Sequence, residues 1–166
     1  MLCDLVLFRH GKAVRPDAAP DDFQRALTER GHQEAATQAR RLADAGFVAD
    51  IALVSSAVRA TETWDEAARY FPVAEKRITR SLYLAAPETY RAAAETCGGT
   101  AVIVIAHDPG LHDLSCTLLM DDRDGARSRE GRALLDHMPT AGIAWFSRAN
   151  GSANWKLKAH FRPDNL

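Results

Sequence analysis

Apolar residues along this chain fall into short unbroken runs and longer spaced ones. "LVLF" at Leu5 to Phe8 is wholly apolar, the pattern of a strand buried on both faces. "DIALVSS" (50–56) repeats it, and "TAVIVIAH" (100–107), continuous and β-branched, carries it most strongly. Elsewhere the apolar positions recur at helical spacing. "LTERGHQEAATQARRLADAG" (27–46) predicts a helix with Thr28 as N-cap and Gly46 just past its end. "AVRATETWDEAARYF" (57–71) predicts another, stopped by Pro72. "PETYRAAAETC" (87–97) opens on Pro87, a natural first helical position, and "PGLHDLSCTLLM" (109–120) follows the strongest strand.

The remaining segments are less regular. "VRPDAAPDDFQRA" (14–26), polar and holding Pro16 and Pro20, predicts a loop. "RITRSLYL" (77–84) reads as a short strand or an extended segment. "DDRDGARSREGRALLDH" (121–137), charged and Gly-broken, reads as a surface excursion or a partly helical lid. "AGIAWFS" (141–147) and "NWKLKAHF" (154–161) alternate like paired strands around "RANGSA" (148–153), a turn containing Asn-Gly. Trp145, Phe146 and Trp155 fit that terminal sheet, and Trp64 fits either core or pocket rim. Strands alternating with helices predict one domain over 1–166, an α/β fold. The expected form is a three-layer α/β/α sandwich whose central sheet is mainly parallel, with an antiparallel C-terminal edge strand.

Composition narrows the partners. A net charge of −1 over 166 residues gives no general attraction to nucleic acid or an anionic membrane, so a cationic site has to be local. Cys3, Cys97 and Cys116 are an odd number without a CxxC pair, which suits reduced thiols. "MLCDLVLFRH" lacks a basic leader and carries Asp4, and no run approaches the roughly 18 apolar residues of a membrane span. The expected location is cytoplasmic.

The chemistry gathers at strand ends. The first strand runs into Arg9-His10-Gly11, the second into Ser55-Ser56 with Arg59 in the next helix, and the strongest into His107-Asp108 before Pro109-Gly110. In a parallel sheet these ends share one side, where open α/β sheets bind ligands. Two arginines and two histidines converging there suit a phosphoryl group, which the arginine fork and helix N-termini both favour. Each residue also has a structural reading: Gly11 as a turn glycine, Ser56 as the cap of the Arg59 helix, Asp108 as the cap of the Pro109 helix, and Glu88 as a first-turn acid.

The ordered motifs resemble the histidine phosphatase superfamily, which includes the phosphoglycerate mutases, and within it the small SixA-type phosphohistidine phosphatases. "LFRHGKA" is similar to the family's opening and "LTERGHQEA" to its L-T-x-x-G-x-x-x-A helix start. "SSAVRATETW" resembles S-x-x-x-R-A-x-x-T, "AHDPGL" the G-H-N-P-G-L turn, and "MPTAGIAWF" the P-T-x-G strand start, with "LYLAAP" a typical middle segment.

That resemblance implies a metal-independent phosphatase without cofactor, in which His10 attacks phosphorus and forms a phosphohistidine that water hydrolyses. It implies Arg9, Arg59 and His107 as the phosphate clamp, His107 protonated when it lies against phosphate, with Gly11 and Ser56 as further phosphate-binding candidates. Many relatives carry a glutamate acid after the middle segment; here Ser81, Leu82 and Tyr83 offer none. The candidate proton donors are Asp108, where SixA-like chains usually have Asn and histidine acid phosphatases an acid, and Glu88. A missing acid suits phosphohistidine, whose imidazole leaves easily once protonated, so the expected partner is a phosphorylated histidine phosphotransfer domain. The excursion 121–137 is the candidate substrate-contacting lid. A small phosphate ester as substrate, or a non-catalytic phosphohistidine-binding module, stays open beside this. So does a metallohydrolase using His107, Asp108, His112 and Asp113, although their spacing matches no familiar metal motif. His32, His137 and His160 have no partner that the sequence names.

Overall fold

The computed structural model describes residues 1–163. Its strands are β1 (Asp4–Arg9), β2 (Ile51–Ser55), β3 (Glu75–Thr79), β4 (Ala101–Ala106), β5 (Ile143–Ser147) and β6 (Lys156–Phe161). They form one sheet in the order β3-β2-β4-β1-β5-β6. The first four run parallel; β5 is antiparallel to β1, and β6 to β5. The helices are α1 (Glu29–Asp44), α2 (Val58–Ala68), α3 (Pro87–Thr96), α4 (Gly110–Leu119), α5 (Arg123–Arg127) and α6 (Arg129–Asp136).

The unbroken apolar runs are explained by the two cores. Side chains alternate across a strand, so Val6 and Phe8 face α1 and α2, where they meet Leu42, Ala60 and Trp64. Leu5 and Leu7 face α3, α4 and α6, against Tyr90, Leu114 and Leu134. A strand covered on both faces has no polar side to display. Trp64 therefore belongs to the core, as do Phe146 and Trp155. Trp145 is half-buried and donates its indole N–H to Asp4 at 2.8 Å.

Local chemistry sets the ends of α1. Thr28 accepts from the Gly31 amide at 3.0 Å, and Gly46 takes φ +94° beyond the last turn. Gly31 is required by contact: a Cβ there would lie 2.2 Å from the Lys12 carbonyl oxygen. The loop after β1 is thereby pressed onto the first turn of α1.

Two segments differ from the sequence expectation. The extended segment expected at 77–84 is divided: β3 begins earlier, at Glu75, and Arg80–Leu82 form a 3-10 turn. Its charged, partly exposed sequence suits an edge strand paired on one side only. The excursion 121–137 is helical and packed rather than a loose charged loop. It folds as α5 and α6 against α4 and β6, with Leu134 in the core and the Asp122 carboxylate accepting from the Leu157 amide at 2.9 Å and Lys156 at 3.0 Å. Apolar residues at helical spacing outweigh the charge count there. Among the described residues, no helix is long and apolar enough to cross a membrane.

Candidate active site

The parallel register brings the three strand ends to one edge. Arg9 pairs with Ala106 and Val54 with Ile105, so His10, Ser55 and His107 leave the sheet at nearly the same level. Arg59 joins them from the first turn of α2, its side chain only 3% exposed. His10, Arg59 and His107 line a cleft of ≈370 Å3.

His10 is held in one tautomer. Its Nδ1 lies 2.7 Å from the Gly11 carbonyl oxygen, which can only accept, so Nδ1 carries the proton. Nε2 keeps its lone pair and accepts from Arg59 Nε at 3.2 Å. Burial first, then the charges of His107, Arg59 and Arg9, lower the His10 pKa to about 3, against the Gly11 bond that raises it. His10 is neutral, and so nucleophilic, across the physiological range.

His107 stands 5.2 Å from His10, ring to ring. Its Nε2 is 2.7 Å from the Ser55 hydroxyl, while its buried Nδ1 has no partner among the described residues. Burial, with Arg59 and Arg9, lowers its pKa to about 3 despite the opposing Asp22 charge. The protonation expected when His107 lies against phosphate would therefore draw on the charge of that anion, added to the opposing Asp22.

Both arginines are already matched by carboxylates. Arg9 donates to the Met138 carbonyl at 2.7 Å and pairs with Asp108 at 3.0 Å, leaving its buried Nε unpartnered. Burial raises the Asp108 pKa, opposed first by Arg9 and then by His112 and His137. Arg59 donates to the Asp22 carbonyl at 2.6 Å and its carboxylate at 3.0 Å. Asp22 also accepts from the Tyr83 hydroxyl at 2.6 Å and Arg25 at 2.9 Å. These bonds, the Tyr83 one foremost, hold its carboxyl well below the usual range.

Arg9, His10, Arg59, His107 and Asp108 converge on the cleft. Glu88 does not: it sits in the first turn of α3, beside a separate groove with Arg91 and Leu114. Among the described residues the buried Ser56 hydroxyl has no partner and does not cap α2, and the serine that reaches His107 is Ser55. Gly11 acts as packing and anchor: its amide donates to Thr63 at 3.0 Å, and a Cβ would meet the Gly31 oxygen at 2.6 Å. Sequence reasoning missed Lys12, Asp22, Arg25, Leu84 and Thr140, which also line the cleft. The loop's Asp21-Asp22 pair beside an aromatic was the one visible hint for Asp22.

Two further histidines make structural contacts. His32 bonds Glu66 at 3.0 Å, tying α1 to α2, and His112 reaches the Leu134 carbonyl at 2.7 Å. Among the described residues, no group of three or more His, Cys, Asp or Glu is placed to hold a metal ion.

The two neutral histidines make stability pH-dependent. Their folded pKa values are about 3 and their unfolded reference is 6.5, so the unfolded chain takes up protons first as pH falls. Stability should be full above about 6.5 and fall progressively towards pH 3. Urea midpoints across that window check this, and His107→Asn should flatten the fall.

The profile of the histidine phosphatase superfamily (branch 1) matches residues 5–83, which include Arg9, His10 and Arg59. No curated protein matches the chain. Among solved structures, one assigned as the phosphohistidine phosphatase SixA of Agrobacterium tumefaciens is 28% identical, covers 98% of this chain and 99% of its own, and superposes with a TM-score of 0.83. A protein assigned likewise from Nakamurella multipartitia is 24% identical, with 97% and 96% covered and a TM-score of 0.79. The protein histidine phosphatase SixA in complex with tungstate is 23% identical, with 98% of each chain covered and a TM-score of 0.75.

Proposed function

We propose that this chain is a member of the histidine phosphatase superfamily, a phosphatase of SixA-like fold that removes phosphate from phosphohistidine on a signalling protein. The observation that carries the reading is His10, buried, neutral and fixed in the tautomer whose Nε2 lone pair adjoins Arg59.

In the first step His10 Nε2 attacks phosphorus and the bond to the substrate's imidazole breaks, its electron pair staying with the leaving ring. Arg59 transfers its donors from His10 and Asp22 to phosphoryl oxygens, and Arg9 and the unpartnered His107 Nδ1 take the others. Donors already in place stabilise charge as it develops without reorganising water. Water then attacks the phosphohistidine on His10 and releases phosphate. Two solved relatives carry the phosphohistidine phosphatase assignment, and a third binds tungstate, a tetrahedral oxyanion like the proposed ligand. No glutamate lines the cleft, so the leaving group cannot rely on that acid.

A single-turnover reaction with a phosphorylated histidine phosphotransfer domain tests this reading. Acid-labile label should pass to the wild type and then appear as phosphate. Turnover of small phosphate esters without transfer from the domain would move the protein to metabolite phosphatases.

Asp108 is the candidate acid for poorer leaving groups, because its raised pKa keeps a larger protonated fraction than an ordinary aspartate. Asp108→Asn should slow hydrolysis of an alkyl phosphate by about 10²-fold and of phosphohistidine much less. Steady-state kinetics on both substrates check this; equal rates on the alkyl ester would remove Asp108 from proton transfer.

A further inference from the structure

Asp22 stands out because it is an anion in a cleft that should welcome anions. His10, Arg59 and His107 are buried, whereas the Asp22 side chain is 43% exposed, so it lies towards the mouth. A phosphoryl group attacked by His10 sits on the floor, and its leaving group points outward past Asp22. Resting on the function proposed above, we infer that Asp22 selects the substrate by its leaving group, accepting the ring N–H of a protonated phosphohistidine imidazole and repelling neutral or anionic esters.

The contacts support such a role. When phosphoryl oxygens take Arg59, Asp22 loses one partner but keeps the Tyr83 hydroxyl and Arg25. It therefore stays ionised beside a bound phosphate dianion. That juxtaposition is unfavourable unless the substrate brings its own cation between the two charges. Phosphohistidine does so when its imidazole is protonated on the nitrogen not bonded to phosphorus, the form that a neighbouring carboxylate favours. A sugar phosphate or phenyl phosphate brings none. Discrimination of this kind comes as much from repelling the wrong partner as from attracting the right one.

The rim also suits a flat ring. Tyr83 meets His107 edge-on at 5.4 Å and Phe23 at 5.0 Å, so an aromatic wall adjoins the carboxylate. In the reaction the P–N bond of the substrate breaks and its electron pair stays on the imidazole nitrogen. The ring's other proton remains where it was, hydrogen-bonded to Asp22, and neutral imidazole departs as the new P–N bond forms on His10. Asp22 transfers no proton, which separates it from Asp108.

The test compares N-phosphoimidazole with p-nitrophenyl phosphate, whose leaving group departs as an anion and needs no acid. Wild type and Asp22→Asn are assayed for kcat/KM at neutral pH, with Asp22→Glu as the variant that keeps the charge. Asp22→Asn should lose about fivefold on phosphoimidazole and gain about fivefold on the phenyl ester, as expected for one partly exposed charge pair and one relieved repulsion. Asp22→Glu should restore the wild-type preference. A change of the same size and direction on both substrates would overturn the inference and leave the phosphohistidine reading intact. Wild type that cleaves the phenyl ester but not phosphoimidazole would overturn both.

Discussion

His10→Gln should bind phosphate and keep its fold while turnover falls by about four orders of magnitude or more. Glutamine is a polar side chain of comparable reach, and its amide can donate to the Gly11 carbonyl as His10 Nδ1 does at 2.7 Å. It lacks an sp² nitrogen lone pair able to take phosphorus. No neighbour substitutes for it, because His107 is engaged with Ser55 and its ring lies 5.2 Å away. At neutral pH the wild-type nucleophile is fully available, so nothing of the loss can be recovered by raising pH. Rapid-quench labelling should show no acid-labile phosphate on the variant, and calorimetry should still detect orthophosphate binding. Activity within tenfold of wild type would remove His10 as nucleophile.

Arg59→Lys should cost about 10²- to 10³-fold in kcat/KM although the charge is preserved. Arg59 uses its whole fork: Nε on His10, one terminal nitrogen on the Asp22 carbonyl and the other on the Asp22 carboxylate. A lysine ammonium is a single point at the end of a flexible stem and cannot bridge the nucleophile and two phosphoryl oxygens together. Because positive charge remains near His10, the acid limb of the pH profile should move little while the rate collapses. That split separates lost geometry from lost electrostatics. A loss smaller than threefold would mean that Arg59 does not contact the phosphoryl group.

Much of this architecture is local in origin. Unbroken apolar runs such as Leu5–Phe8 and Val102–Ile105 read as buried strands because both faces are covered. Thr28 and Gly46 mark the ends of α1 through short-range backbone chemistry. Arg9, His10 and His107 were legible because they stand at strand ends, and Arg59 because it opens the helix after β2; parallel strands must present those ends together.

What the sequence by itself determined, then, was the order of elements, the sidedness of the sheet and which strand ends carry charge. Tertiary structure alone decided what meets between them. Ser55 rather than Ser56 reaches His107 because neighbouring residues of a strand point to opposite faces, and register with β4 chooses between them. Asp22 meets Tyr83, 61 residues away, and Arg59, 37 residues away. The charged excursion became α5 and α6 because Leu134 found an apolar surface on the far face. Periodicity records how each segment is covered, a property of neighbours along the chain. Contacts across a cleft depend on the packing of distant segments, which no local pattern encodes.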